Sequence, residues 1–204
     1  MTTVLAITAV HPEATSPSSI RRCLQLMRED FVAHRRDWFS PGFRALCVYR
    51  FGQWRMSVRP KALRTPLSLL YRVMYRRIRN RYGIELPYSA TVGRRVVIEH
   101  QNCIVIHGDA VIGDDSIIRQ GVTLGNRRLD APHDAPRLGN GVNVGAGAKI
   151  LGAVTIGDGA VIGANAVVLS DVPAHAIAVG VPARVVSRNA VEQRDVLDTV
   201  GGLE

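Results

Sequence analysis

Along residues 88–172 an aliphatic side chain returns every six positions: Val92, Ile98, then Ile106, Ile112, Ile118, Leu124, then Leu138, Val144, Ile150, Ile156, Ile162, Val168. Glycine often follows at once, as at Gly93, Gly113, Gly125, Gly139, Gly145, Gly157 and Gly163. Two positions ahead of the aliphatic residue sits a small one: Ala90, Ala110, Ser116, Ala148, Ala160, Ala166. An α-helix, with 3.6 residues per turn, has no use for a period of six punctuated by glycine. A solenoid does. Each six residues make a short strand and a corner, three sides make a coil, and the aliphatic residues stack inside as a ladder. Glycine suits the tight corners.

Residues 20–84 carry a different pattern. Ser18 or Ser19 is placed to cap a first helix running to about residue 36. Pro41-Gly42 interrupts, and Phe43, Leu46, Cys47, Phe51 and Trp54 follow near helical spacing, which predicts a helix over 43–58. Arg59-Pro60 interrupts again, and a third helix is predicted over 66–82, with Pro66 in its first turn. The division is therefore a flexible arm over 1–19, a helical segment over 20–84, a solenoid domain over 85–187 and a tail over 188–204. The fold class is α+β.

The period of six breaks twice. The step from Ile98 to Ile106 is eight residues, and that from Leu124 to Leu138 is fourteen. Insertions in a solenoid emerge as loops and leave the stacked core intact. The longer one, 126–137, is rich in Arg, Asp, Pro and His, and loops on a rigid scaffold commonly carry function.

Charge sharpens the division. The chain of 204 residues has a net charge of +9, but residues 1–84 hold 16 Lys/Arg against 4 Asp/Glu, and residues 85–204 hold 10 against 13. The Arg-rich helices read first as a solvated face. Attraction for anionic lipid or an acidic polymer comes second, and no recognised nucleic-acid motif accompanies the charge. Aromatics are only 5%, which fits an aliphatic ladder. Three cysteines (Cys23, Cys47, Cys103) without C-x-x-C spacing argue against a disulfide scaffold or a thiolate zinc site. The six histidines lack the pairing of a metal site, so none is expected. A poor signal sequence at the start and no convincing apolar span make a cytoplasmic setting the expectation.

The repeat resembles that of the hexapeptide acyltransferases, left-handed parallel β-helices, and most closely the serine O-acetyltransferases. The similarity rests on Pro41-Gly42-Phe43-Arg44-Ala45-Leu46 with Tyr49-Arg50-Phe51-Gly52 and Trp54. It continues through Ile98-Glu99-His100, Gln120-Gly121-Val122-Thr123-Leu124-Gly125, Val144 to Gly152, and Gly180-Val181-Pro182-Ala183-Arg184. It covers about residues 41–187.

The resemblance implies acetyl transfer from acetyl-CoA to the hydroxyl of L-serine, giving O-acetyl-L-serine for cysteine biosynthesis. His100 becomes the general base by direct attack, a role histidine suits near neutral pH. Glu85 stands where the family has the aspartate that orients this ring. Glu99 replaces an aspartate that meets the serine ammonium. Backbone amides near Gly125 are candidates for the oxyanion. Coenzyme A is expected between neighbouring subunits of a homotrimer, against Gly125, Gly145, Ala146, Ala148, Gly163 and Ala164, with Lys149 and Arg184 near its phosphates.

One departure stands out. The family's Arg-His pair for the serine carboxylate is replaced by Asp134-Ala135, which leaves His133 and Arg127 as substitutes. Two other readings therefore stay open: a sugar hydroxyl of capsule or lipopolysaccharide as acceptor, or a non-catalytic scaffold. Two trimers pairing through the helices is a further option. A complex with cysteine synthase is not expected, because the chain ends Gly201-Gly202-Leu203-Glu204.

Overall fold

The computed structural model describes residues 17 and 19–186. The arm expected over 1–19 falls almost wholly, and the tail over 188–204 wholly, outside the described residues.

Helix α1 (Ile20–Ala33) starts where Ser19 accepts a hydrogen bond from the Arg22 N–H at 3.2 Å, an ordinary N-cap. It stops three residues short of the expected end, because Arg35 and Arg36 take left-handed backbone at φ 55° and 60°. Helix α2 (Pro41–Ser57) has proline in its first turn and Ser40 as cap. Helix α3 (Lys61–Tyr82) begins five residues earlier than the pattern predicts, with Pro66 inside it. So near the N-terminus the missing proline N–H costs one helical bond, on a face open to solvent. Gly83, at φ 60°, closes α3 by donating its N–H to the Arg79 carbonyl.

The strands that follow form three parallel walls. One holds β1 (Ile84–Glu85), β4 (Ile104–Ile106), β7 (Thr123–Gly125), β10 (Lys149–Leu151) and β13 (Val167–Val168). The second holds β2 (Thr91–Val92), β5 (Val111–Ile112), β8 (Arg137–Leu138) and β11 (Thr155–Ile156). The third holds β3 (Val97–Ile98), β6 (Ile117–Ile118), β9 (Asn143–Val144), β12 (Val161–Ile162) and β14 (Ile177–Gly180), to which β15 (Ala183–Val186) adds antiparallel. The register follows the sequence period: Val92 lies on Ile112, then Leu138, then Ile156. All twelve aliphatic residues of the period are buried, as are the six small residues ahead of them. Burying each large aliphatic side chain contributes roughly 1.5–3 kcal/mol. The corners stack so closely that a Cβ on Gly113 would sit 2.3 Å from the Gly139 carbonyl oxygen.

A solenoid needs its ends covered. The helices cover the first coil. Tyr49 Oη donates to the Ala90 carbonyl at 2.8 Å and accepts from Val92 N–H at 2.9 Å. Arg50, wholly buried, donates to the Val92 and Gly93 carbonyls and pairs with buried Asp30 at 3.0 Å. Gly42 lies flush on the coil: a Cβ there would come 2.1 Å from the Ile98 oxygen. The β14–β15 hairpin closes the far end.

Candidate active site

The eight-residue step between Ile98 and Ile106 becomes a turn at the corner between β3 and β4. His100, Asn102 and Cys103 all take left-handed backbone, at φ 65°, 80° and 55°. For residues with a Cβ this costs of order 1 kcal/mol each and persists where the surroundings impose it. They do so here. Asn102 N–H donates to the Tyr82 carbonyl at 2.8 Å, Ile104 N–H to Gly83 at 3.0 Å, and Gly121 N–H to Asn102 at 3.0 Å. The end of α3 and the next coil thus hold the turn that displays His100 to solvent.

His100 opens on a cleft of about 480 Å³ between this corner and the end of α1. Glu99, His34, Arg35, Asp37 and Ser40 share its walls. His34 is buried with both ring nitrogens occupied: Nδ1 lies 2.8 Å from the Asp30 carbonyl, and Nε2 accepts from Ile98 N–H at 3.2 Å. These partners define the neutral ring with its proton on Nδ1. His34 therefore pins α1 to β3 beside the cleft.

Glu85 lies half-buried on β1, in register with Val105, one strand from the turn that carries His100. No hydrogen bond joins Glu85 to His100 among the described residues. Burial, and after it the Glu85 charge, push the Tyr75 hydroxyl above its ordinary pKa. Glu99 pairs with Arg119 at 2.9 Å. Arg119 also donates to Asn143.

The long loop does not bring its candidates to His100 within one protomer. His133 is exposed and pairs through Nδ1 with Asp109 at 2.9 Å. Arg127 is exposed near Gly152, and Asp134 is exposed, while Ala135 is buried under the loop. None of the four lines the cleft.

The coenzyme candidates divide by environment. Ala148 faces the interior with no exposed surface, so its side chain serves the core and offers nothing to a ligand. A Cβ on Gly145 would meet the Ala164 nitrogen at 2.6 Å, so backbone stacking at the corner demands glycine there, whereas one on Gly163 would meet the Val179 side chain at 2.7 Å with the nearest backbone at 3.5 Å. Gly125 differs. A Cβ there would make ordinary contacts at 3.5 and 3.7 Å, so packing does not require glycine and its backbone is open to approach. Ala146 is half-buried and Ala164 exposed. Lys149 donates to the Gly121 carbonyl, and Arg184 is exposed and donates to the neighbouring Ala183 carbonyl. Cys23 and Cys47 are pushed up to about 11 and about 12 by burial, which leaves their thiols inert, while Cys103 is exposed beside His100. No group of three or more His, Cys, Asp or Glu is placed to hold a metal among the described residues.

Sequence reasoning missed Arg119 as the partner of Glu99, although the coil period carries the signal. Ile98 stacks on Ile118, so residue 99 stacks on residue 119. It also missed His34, whose partners are 4 and 64 residues away and leave no local pattern. Asp30 on α1 is sequestered by Arg50, whereas Asp37, in the connection between α1 and α2, lines the cleft.

A glycine-cornered coil with a histidine on a held turn defines the class: residues 135–170 match the bacterial transferase hexapeptide model (six repeats), and the fold is a left-handed parallel β-helix behind helices. The chain is 41% identical over 175 residues to a serine acetyltransferase of Helicobacter pylori strain J99, covering 84% of this chain and 96% of that protein. It is 40% identical over 151 residues to a serine acetyltransferase of Synechococcus elongatus, covering 74% of this chain and 59% of that protein. A solved serine acetyltransferase in complex with CoA superposes with TM-score 0.69 at 31% identity, over 86% of this chain and 74% of that one. The chain belongs to the serine acetyltransferase family. It spans only 59% of the Synechococcus protein and 52% of a serine acetyltransferase of Salmonella typhimurium strain LT2.

Proposed function

We propose that this chain transfers the acetyl group of acetyl-CoA to the hydroxyl of L-serine, releasing CoA and O-acetyl-L-serine. The observation that carries the proposal is His100 on its strained, doubly anchored turn, facing a cleft wide enough for a small acceptor. The serine hydroxyl oxygen attacks the thioester carbonyl carbon while His100 takes its proton. The tetrahedral oxyanion collapses, the C–S bond breaks, and the imidazolium returns the proton to the leaving thiolate. Glu85 is the positioning residue for the ring, and backbone amides near Gly125 face the oxyanion. Glu99 faces the ammonium, and His133 and Arg127 are the loop residues for the carboxylate. The working unit in this reading is a homotrimer, in which a neighbour's loop supplies what one protomer's cleft lacks. CoA lies along Gly125, Ala146 and Ala164, with Lys149 and Arg184 toward its phosphates. A cytoplasmic setting fits this chemistry, and no helix of the described residues is long and apolar enough to cross a membrane.

A second reading keeps donor and base and changes the acceptor to a sugar hydroxyl. Two observations favour it: Arg119 already neutralises Glu99, and Asp134 with buried Ala135 stands where a carboxylate would need cations. An uncharged acceptor needs neither pair. Thiol release from acetyl-CoA, with L-serine and a sugar panel as acceptors, tests both. Serine-dependent release that falls at least ~100-fold in His100→Ala supports the proposal. Turnover with a sugar alone replaces the acceptor. Release unaffected by His100→Ala refutes the base.

A further inference from the structure

Between Asp37 and Glu85 the chain carries eleven Lys/Arg and no Asp or Glu. Most of that charge could be an ordinary solvated surface. The structure adds a second feature that solvation does not explain. Helix α3 packs on the rest of the molecule through Tyr71 and Ile78, both buried. Its opposite side is apolar. At 100° per residue, Ala62, Pro66, Leu69 and Val73 fall within an arc of about 60°. All four are exposed, Leu69 at 65% and Val73 at 60%. Leu63 and Leu70 widen the row, at 61% and 49%. Exposed arginines flank it: Arg72 and Arg76 border one edge, and Arg77 and Arg81 share the other flank with Leu63 and Leu70.

We propose that this outer face of α3 docks on an anionic bilayer surface, with the leucine–valine row among the acyl chains and the flanking arginines at the headgroups. An apolar stripe edged by arginine, on a helix without acids, is the pattern of a helix lying in the membrane interface. Long arginine side chains reach upward from such a position and keep their charge in the polar layer. Charge complementarity selects this occupant over a twofold pairing of the face with its own copy. A twofold contact of the face with itself would set arginine against arginine, with no carboxylate anywhere on α2 or α3 to pair them. It also selects a bilayer over a soluble polyanion, which would use the arginines and leave the apolar row in water.

The test is flotation of the full chain with vesicles of phosphatidylcholine containing about one quarter phosphatidylglycerol, against phosphatidylcholine alone. The wild type floats with the anionic vesicles and not with the neutral ones. Arg72→Gln with Arg76→Gln weakens the partition about 25-fold, near fivefold per arginine. Leu69→Ser with Val73→Ser weakens it at least ~10-fold. All substituted side chains are exposed, and unchanged circular dichroism and acetyl-CoA turnover exclude misfolding. Failure to float with either vesicle overturns the proposal. Flotation that ignores Leu69→Ser/Val73→Ser overturns it in favour of a purely electrostatic surface. A smaller assembly in that variant by light scattering, with flotation unchanged, overturns it in favour of a contact between copies.

Discussion

Removing Arg50 tests the account of how the helices are held to the coil. The guanidinium is wholly buried and serves three partners at once. It donates to Asp30 at 3.0 and 3.3 Å and to the Val92 carbonyl at 2.9 Å, and it also reaches the Gly93 carbonyl. Arg50→Met keeps most of the volume but leaves the buried Asp30 carboxylate without its cation. Breaking a buried pair from one side costs about 3–5 kcal/mol. The two orphaned carbonyls add to this, so about 4 kcal/mol is a fair central value. With a urea slope of about 2–3 kcal/mol per M, the unfolding midpoint falls by about 1–2 M at matched protein concentration. Asp30→Asn with Arg50→Met removes the stranded charge and recovers at least ~1 kcal/mol of that loss. Helical circular dichroism is expected to melt before the strand signal, because the lost contacts join α1 and α2 to β2. The KM for the acceptor rises, since α1 forms one wall of the cleft beside His100. A loss below ~1 kcal/mol in Arg50→Met, or strictly additive single and double variants, would refute this reasoning.

Three further expectations are simpler. Gly42→Ala places a Cβ 2.1 Å from the Ile98 oxygen, so it lowers stability by about 1–3 kcal/mol and shifts α2 off β3; a melting temperature equal to wild type would count against the close docking. Cys103→Ser keeps acetyl transfer within a few-fold, because direct attack needs no thiol; a ~1000-fold loss together with a trappable acyl-cysteine would sink the direct mechanism. In acid, the Arg94 hydrogen bond holds the Glu29 carboxyl below its ordinary 4.5, and Arg95 holds that of Asp115 below 3.8. A lowered folded pKa stabilises the fold above the ordinary value and loses that contribution as pH falls below it. Both pairs are at the surface, so each is screened to below about 1 kcal/mol, and denaturation curves at pH 5 and pH 3 in Arg94→Met should converge on wild type at the lower pH.

The period of six residues was enough to specify the coil. Every rung from Val92 to Val168 faces inward, because a three-sided coil allows one aliphatic residue per side and the sequence repeats that requirement without exception. The two lengthened steps marked the two places where the chain leaves the ladder. The helix limits were less legible: α3 starts at Lys61, since a proline six residues in disturbs one bond and not the helix. His100 could be singled out in sequence, but not its display. That depends on Tyr82, Gly83 and Gly121, which bond to its turn from two other elements. The same holds for the ties that close the cleft. Asp30 with Arg50, His34 with Ile98, and Glu99 with Arg119 are pairs 20, 64 and 20 residues apart. Local periodicity reports which side of an element is apolar. Which polar groups meet across elements depends on how the helices dock on the first coil, and so does the exposure of the Leu69–Val73 face. Only the tertiary structure holds that information, because burial turns a lone charge into a cost that a distant partner must offset.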